Sequence, residues 1–370
     1  MNSELEAKTK RLVGLLTENG LDGVLLNAQH NFAWITGGAS NGVDQSRDNG
    51  VASILITHSG ERYLLANKIE MPRMLDEEVS GKDFKPVEFA WQDEKSSSQW
   101  LIETAKDLAR GPIATDLPID PSALVVEGSI ASCRRSLTPP EIERFRELGR
   151  DAGVALDSVL DTIAPGQTEL EIASIMRSEL DRFNIRSVVT LVAGDDRIAK
   201  YRHPVPTSNP WNRTIMLVTC ARRHGLIVSL TRIANIGPAS SELKKKTEAA
   251  AFVNASLLNA TREGVSGRDI YQIAAKAYAD AGFADEIDKH HQGGAAGYRT
   301  REWVIHPNST DVVETDQAFA WNPSITGTKV EETVIASGGQ CEVITASPGF
   351  PQIVTTIDRV EYRSPGILEI

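Results

Sequence analysis

Cysteine is scarce in this chain of 370 residues: only Cys133, Cys220 and Cys341, an odd number, far apart and without a CxxC pair. That excludes a disulfide framework and a cysteine-held zinc, and it fits a reducing compartment. Long apolar runs are missing as well. None approaches the roughly 18 residues of a membrane helix, and the opening MNSELEAKTKRLVGLL has no apolar signal core. A soluble, cytoplasmic protein without membrane partners is expected. Positive charge is in deficit, with 39 Lys+Arg against 50 Asp+Glu and a net charge of −11, which argues against a nucleic-acid partner. What remains is ordinary globular composition, 41% hydrophobic and 24% charged, in a chain long enough for more than one domain. The surplus of carboxylates beside seven histidines is a pool from which a metal site could be drawn.

Apolar spacing predicts a helix over 4–18, closed by Asn19-Gly20, and then a buried strand at Gly23–Leu26. Val51–Ile56 and Tyr63–Leu65 flank Ser59-Gly60 as a hairpin, helical patterns follow near 68–77 and 99–110, and a short apolar run covers 112–114. Thr138, Pro139 and Glu141 form a capping box with proline in the first turn, so the domain boundary is expected near 135, dividing the chain into 1–134 and 135–370. A second box stands at Thr168 and Glu171. Strands are expected at 187–193, 214–219 and 225–230, and long helices at 239–262 and 267–281, the latter capped by Ser266. Further strands are expected at 317–321, 330–336 and 341–345. Helix pairs separated by clustered antiparallel strands predict an α+β class rather than a doubly wound sheet.

Several segments of the second half are motifs in a fixed order: Thr138–Glu143, His203-Pro204-Val205-Pro206-Thr207, Gly225–Arg232, His290–Gly297, Ala318–Pro323 and Val330–Val334. Together they resemble the creatinase/prolidase/aminopeptidase P superfamily. Leu16–Gly20 and Asn31–Gly37 are similar to its creatinase-type N-terminal domain. The resemblance implies a C-terminal pita-bread catalytic domain preceded by a smaller α/β domain. It also implies a homodimer in which the N-terminal domain completes the neighbour's site. Metallopeptidases of this fold hold two metals on Asp, Asp, His, Glu and Glu; the matching positions here are Val218, Ser229, Gly294, Asn322 and Glu331. One carboxylate cannot balance two divalent ions, because hard cations need carboxylate oxygens. No metal and no other cofactor is therefore expected.

Creatinase provides the metal-free precedent, with a histidine as acid/base and glutamates beside it. By that match His203 and Glu331 are the catalytic candidates, while the second creatinase glutamate falls on Thr231. His203 lies in a proline-rich loop, and a histidine ordinarily titrates near neutrality, as proton transfer requires. Arg47, in Arg47-Asp48-Asn49-Gly50, matches a substrate loop whose guanidinium clamps a carboxylate. Candidate substrate contacts are Ser229, Thr231, His290, Tyr298, Arg301, Glu302, Trp303, Asn322 and Lys329, although Lys329 also reads as an exposed strand lysine and Trp303 as an ordinary strand residue. Glu331 and Glu332, adjacent on a strand, should point to opposite faces. His290 and His291 should diverge in an extended loop, with no third ligand at helical or hairpin spacing. Cys220 reads as buried and inert. The sequence thus leads to a metal-independent hydrolase, or C–N lyase, acting on a small anionic, nitrogen-containing substrate. The alternatives are an inactive pita-bread protein that binds a ligand or partner, and a true Xaa-Pro metallopeptidase.

Overall fold

The computed structural model describes residues 3–97, 99–121 and 123–370. The chain divides into two compact units, Met1–Arg135 and Ser136–Ile370.

In the first unit the helix Ser3–Asn19 buries Leu5, Leu12, Leu15 and Leu16, and Gly20 (φ 63°) ends it in the left-handed region that glycine tolerates. The strands are β1 (Gly23–Ala28), β2 (Asn49–Thr57), β3 (Arg62–Asn67), β4 (Lys85–Phe89), β5 (Ile113–Thr115) and β6 (Leu124–Val125). They form one mixed sheet in the order β4-β3-β2-β1-β5-β6, with β2 and β3 joined through Ser59-Gly60 as the sequence suggests. β1 is buried along its whole length, which explains its unbroken apolar run. The helical pattern near 68–77 is cut short: Met71–Arg73 makes one turn and continues as a wider π-type turn over Met74–Glu78. Trp100–Ala109 is helical as expected, whereas the helices Gln29–Thr36 and Glu127–Arg134 carry no side-chain N-cap that would have announced them.

The second unit opens with helices Pro139–Thr162 and Glu169–Asp181, each with the capping box read from its sequence. Then come β7 (Arg186–Gly194), β8 (Thr214–Arg223) and β9 (Leu226–Asn235), an antiparallel meander. Helices Ser241–Ala260 and Gly267–Asp280 follow, and after them β10 (Gly293–Ala296), β11 (Trp303–Val304) and β12 (Gln317–Trp321). The chain continues through β13 (Ser324–Ile325), β14 (Thr328–Lys329), β15 (Glu332–Ser337), β16 (Gln340–Val343), β17 (Gln352–Ile357), β18 (Val360–Pro365) and β19 (Ile367–Glu369). β11-β10-β12-β15-β16 form one antiparallel sheet; β19 joins the other sheet, parallel to β9. The class is α+β. The two long helices pack their apolar faces on the sheet through a core that includes Tyr278, Phe319, Trp321 and Val334. The sheets meet where Thr333 Oγ1 accepts from the Ser229 amide (2.7 Å) and donates to the Ser229 carbonyl (2.9 Å). This junction of β9 and β15 carries the site.

Candidate active site

One face of the β8–β9 pair is apolar at Met216 and Ile233 and becomes polar at Thr231, Ser229 and Cys220. Residues directly opposite share a face, so Val218 stands beside Thr231 and Cys220 beside Ser229. Val218 is buried among Leu191, Met216 and Ile233, a setting with no place for an ion. Cys220 lies 3.3 Å from Ser229 Oγ, and burial raises its thiol pKa, so it stays protonated and unreactive.

Glu331 enters this face just before β15. It is buried, accepts from Thr231 Oγ1 at 2.7 Å and faces Lys329 Nζ at 2.9 Å, with Arg301 Nη2 3.6 Å away. Burial alone would raise its pKa, but Lys329 and Arg301 outweigh that and hold it below the ordinary value. The reading of Lys329 as an exposed strand lysine is overturned: its residue is 6% exposed. The cause is the tight β13–β14 hairpin, turned through Gly327 (φ 104°) and tied to the helix 241–260 by a Thr328–Thr247 hydroxyl bond of 2.8 Å. Arg301 donates to Ser229 Oγ (3.3 Å) and to the Thr300 carbonyl (2.6 Å). Glu332, as expected, faces the other way, paired with Arg232 at 2.9 Å.

His203 rides on a loop fixed at both flanks. On one side Glu169 accepts from the Gly194 amide (2.9 Å), the Thr207 amide (2.9 Å) and Thr207 Oγ1 (2.7 Å), and pairs with Arg197. On the other, Arg202 pairs with Glu286 and donates to Thr326 Oγ1 at 2.8 Å. The ring between these anchors reaches His290, with the two Nε2 atoms 3.2 Å apart. His290 and His291 do not diverge; their rings stack at 4.5 Å and 24°. Sequence spacing offers no third histidine, and the fold supplies one from 87 positions away. Next to them, Gln292 Oε1 accepts from Tyr278 Oη at 2.7 Å, which fixes the loop's exit into β10.

Burial first, then Lys329, lowers the pKa of His203; Glu331 opposes this and Arg301 adds to it. Burial, followed by Lys329 and the neighbouring histidines, takes His290 down to about 2. Burial and then Arg301 bring His291 to about 4, although His203 and His291 keep some solvent contact. All three rings thus favour the uncharged form at neutral pH, the form in which an imidazole nitrogen can bind a metal. Among the buried side-chain atoms without a hydrogen-bond partner are His290 Nδ1, Arg301 Nε and Asn322 Oδ1. Such atoms are costly unless a water or ligand satisfies them.

The other candidates divide. Ser229, Thr231, His290, Arg301 and Lys329 are linked to Glu331 or His203 by the contacts above. Asn322 packs beside the loop, its amide donating to the Gln292 carbonyl at 3.1 Å. Tyr298, Glu302 and Trp303 make contacts within the fold. Tyr298 Oη donates to Glu141 Oε1 (2.7 Å), and Glu302 Oε1 accepts from the Tyr298 amide (3.1 Å) and so closes a turn. Trp303 sits in the core, edge-to-face on Phe319 at 5.5 Å, as its strand position permitted. Arg47 belongs to the first unit, where it is exposed and paired with Asp44 at 3.0 Å.

The five positions that match the family's metal ligands do not fit a dinuclear centre. A Cβ on Gly294 would lie 2.1 Å from the Trp303 carbonyl oxygen and 2.8 Å from Val304 Cα, so the backbone leaves no room there for a histidine. Val218 is walled by apolar side chains, Ser229 and Asn322 are neutral, and Glu331 already has protein cations as partners.

Residues 143–343 match the metallopeptidase family M24, and residues 8–129 match the creatinase/prolidase N-terminal domain. An uncharacterized peptidase of Staphylococcus haemolyticus is 21% identical over 339 residues, covering 87% of this chain and 96% of that protein. Among solved structures, an Xaa-Pro dipeptidase from Bacillus anthracis superposes with a TM-score of 0.73 at 20% identity, over 93% of this chain and 98% of that one. The prolidase from Pyrococcus horikoshii superposes at 0.74 and 19% identity, over 92% and 98%. The fold they share is the one that the ordered motifs imply. No helix among the described residues is long and apolar enough to cross a membrane.

Proposed function

The chain belongs to metallopeptidase family M24, a family of hydrolases, and we propose that it cleaves a C–N bond in a small anionic substrate without a dinuclear metal centre. The observation that carries this reading is the partner of Glu331. Where the family's glutamate would face metal, this one faces Lys329 at 2.9 Å and Arg301 at 3.6 Å. The site keeps its positive charge but draws it from its own side chains.

The chemistry follows from those groups. His203, neutral and held by its flanking anchors, takes a proton from water (or from the substrate, in an elimination) and returns it to the departing nitrogen. Lys329 and Arg301 attract an anionic group and stabilise negative charge developing on the attacked carbon's oxygen or nitrogen. Glu331, fixed by Thr231, orients Lys329 and balances part of its charge. The unpartnered Asn322 Oδ1 is an acceptor for a substrate N–H, and Arg301 Nε a donor to an anion. These two match amide, amidine or guanidino substrates. The reading includes a cytoplasmic homodimer, with Arg47 of the N-terminal domain clamping the substrate carboxylate.

A panel of guanidino acids, cyclic amides, N-acyl amino acids and Xaa-Pro dipeptides, assayed with chelator present, is the test. Turnover of one class is expected, and His203→Ala should lower its kcat by about 10²–10⁴-fold with folding intact. A blocked Gly294 position equally suits a protein that only binds its ligand. In that case panel compounds would raise the Tm without being consumed.

A further inference from the structure

We propose that His203, His290 and His291 form a mononuclear site for a borderline transition metal of the Zn²⁺, Ni²⁺ or Cu²⁺ class, separate from the family's dinuclear positions. Among the described residues this is the one group of His, Cys, Asp or Glu side chains placed to share an ion, with donor atoms all within 4.8 Å of one another. Two imidazole nitrogens bound tetrahedrally at 2.0–2.1 Å lie about 3.3 Å apart. His203 Nε2 and His290 Nε2 are already 3.2 Å apart. Donor atoms at the outer limit of 4.8 Å would need to close by roughly 1.5 Å, which small rotations of an exposed histidine allow.

The scaffold is also suited to ligation. His203 is held between the Arg202–Glu286 and Glu169–Thr207 anchors, and His290 is buried. His203 and His291, both exposed, have side-chain freedom to adjust around the buried His290. Three neutral imidazoles with an open fourth position select borderline metals over Mg²⁺ or Ca²⁺, which need carboxylate oxygens. Lys329 and Arg301 oppose a cation here, but both lean on Glu331, leaving one net positive charge among the three groups. That residual charge favours an anionic fourth ligand such as hydroxide, chloride or a substrate carboxylate. Occupancy would take the His203 lone pair, so on the acid/base reading above, on which this consequence alone rests, the bound metal inhibits.

The test is equilibrium binding of Zn²⁺ and Co²⁺ to the metal-stripped full chain, by calorimetry and by the visible bands of four-coordinate Co²⁺. One ion per chain is expected, with Mg²⁺ unable to compete. His291→Ala and, separately, His203→Ala should each weaken binding by about tenfold or more and change the Co²⁺ spectrum. Circular dichroism checks that both variants fold, and the two are independent of each other. Absence of binding overturns the site, as does binding that neither variant changes, which would assign the ion to His30, His58, His224 or His306. Inhibition by Zn²⁺, relieved by chelator and weakened in His291→Ala, supports the site together with the proposed reaction. Turnover that appears only when the three-histidine ion is bound supports the site and overturns the metal-free reading.

Discussion

Glu331 and Glu332 are neighbours in sequence, both about 2% exposed and both faced by cations, yet their environments differ in kind. Glu332 lies in a closed arrangement. Arg232 Nη1 meets it at 2.9 Å, Thr345 Oγ1 donates to it, and the guanidinium goes on to the Thr345 carbonyl (2.6 Å) and towards Asp157 (3.6 Å). Burial dominates there and raises the Glu332 pKa despite Arg232. On the other side of the strand Lys329 and Arg301 overcome burial, and the neighbourhood holds three uncharged histidines and polar atoms without partners. One carboxylate is bound to a single buried guanidinium and a threonine hydroxyl; the other is shared between two cations and a threonine hydroxyl. Two carboxylates adjacent in sequence thus differ in their neighbours: Glu332 is held by the buried Arg232, whereas Glu331 stands beside Lys329 and Arg301, close to the histidine cluster.

Breaking the closed side should have the largest effect on stability. Glu332→Ala leaves Arg232 buried without its anion and should cost about 3–5 kcal/mol in urea unfolding, with the pH profile of the folded enzyme unchanged. On the open side, Glu331→Gln with Lys329→Met removes the pair as a unit; this variant should stay near wild-type stability and lose turnover. Equal stability losses on both sides would erase the distinction.

The pH dependence sharpens the same contrast. His203 in the folded protein titrates below its ordinary 6.5, so kcat/KM should rise with pH along a limb centred below that value. A limb at or above 6.5 would contradict a neutral base. His290, drawn to about 2, contributes stability that is present above the unfolded histidine pKa and is lost as pH falls through the region between the two values. Resistance to urea should therefore decline on acidification from about pH 7 to 5, and less so in His290→Gln. The smallest effect is expected at Cys220, where Cys220→Ser should leave kcat within about twofold because its thiol is held protonated.

Much of this is legible in the sequence alone. The boxes at Thr138 and Thr168 fix helix starts through local hydrogen bonds, so spacing alone reveals them. The loss of ligand chemistry at Val218, Ser229, Gly294 and Asn322 is a matter of residue type, and it too was readable. The burial of Lys329 was not, because a lysine two residues before Glu331 looks exposed until the β13–β14 hairpin turns it inward. Neither was the meeting of His203 with His290 and His291, which depends on loops tied by Glu169 and Glu286 across tertiary distances. For Trp303 the sequence leaves both readings open, since in a strand an aromatic beside an arginine is as readily core as site, and the structure places it in the core. The hairpin β17–β18 also went unread; its faces are only partly buried, and no clean alternation marks it.

The central claim is that Lys329 and Arg301 have replaced metal at Glu331. The most direct measurement is the rate of the fully metal-stripped enzyme in excess chelator, with residual metal quantified per chain. The account predicts an undiminished rate with far less than one ion per chain. A rate that disappears on stripping and returns with stoichiometric Mn²⁺ or Co²⁺ would contradict it.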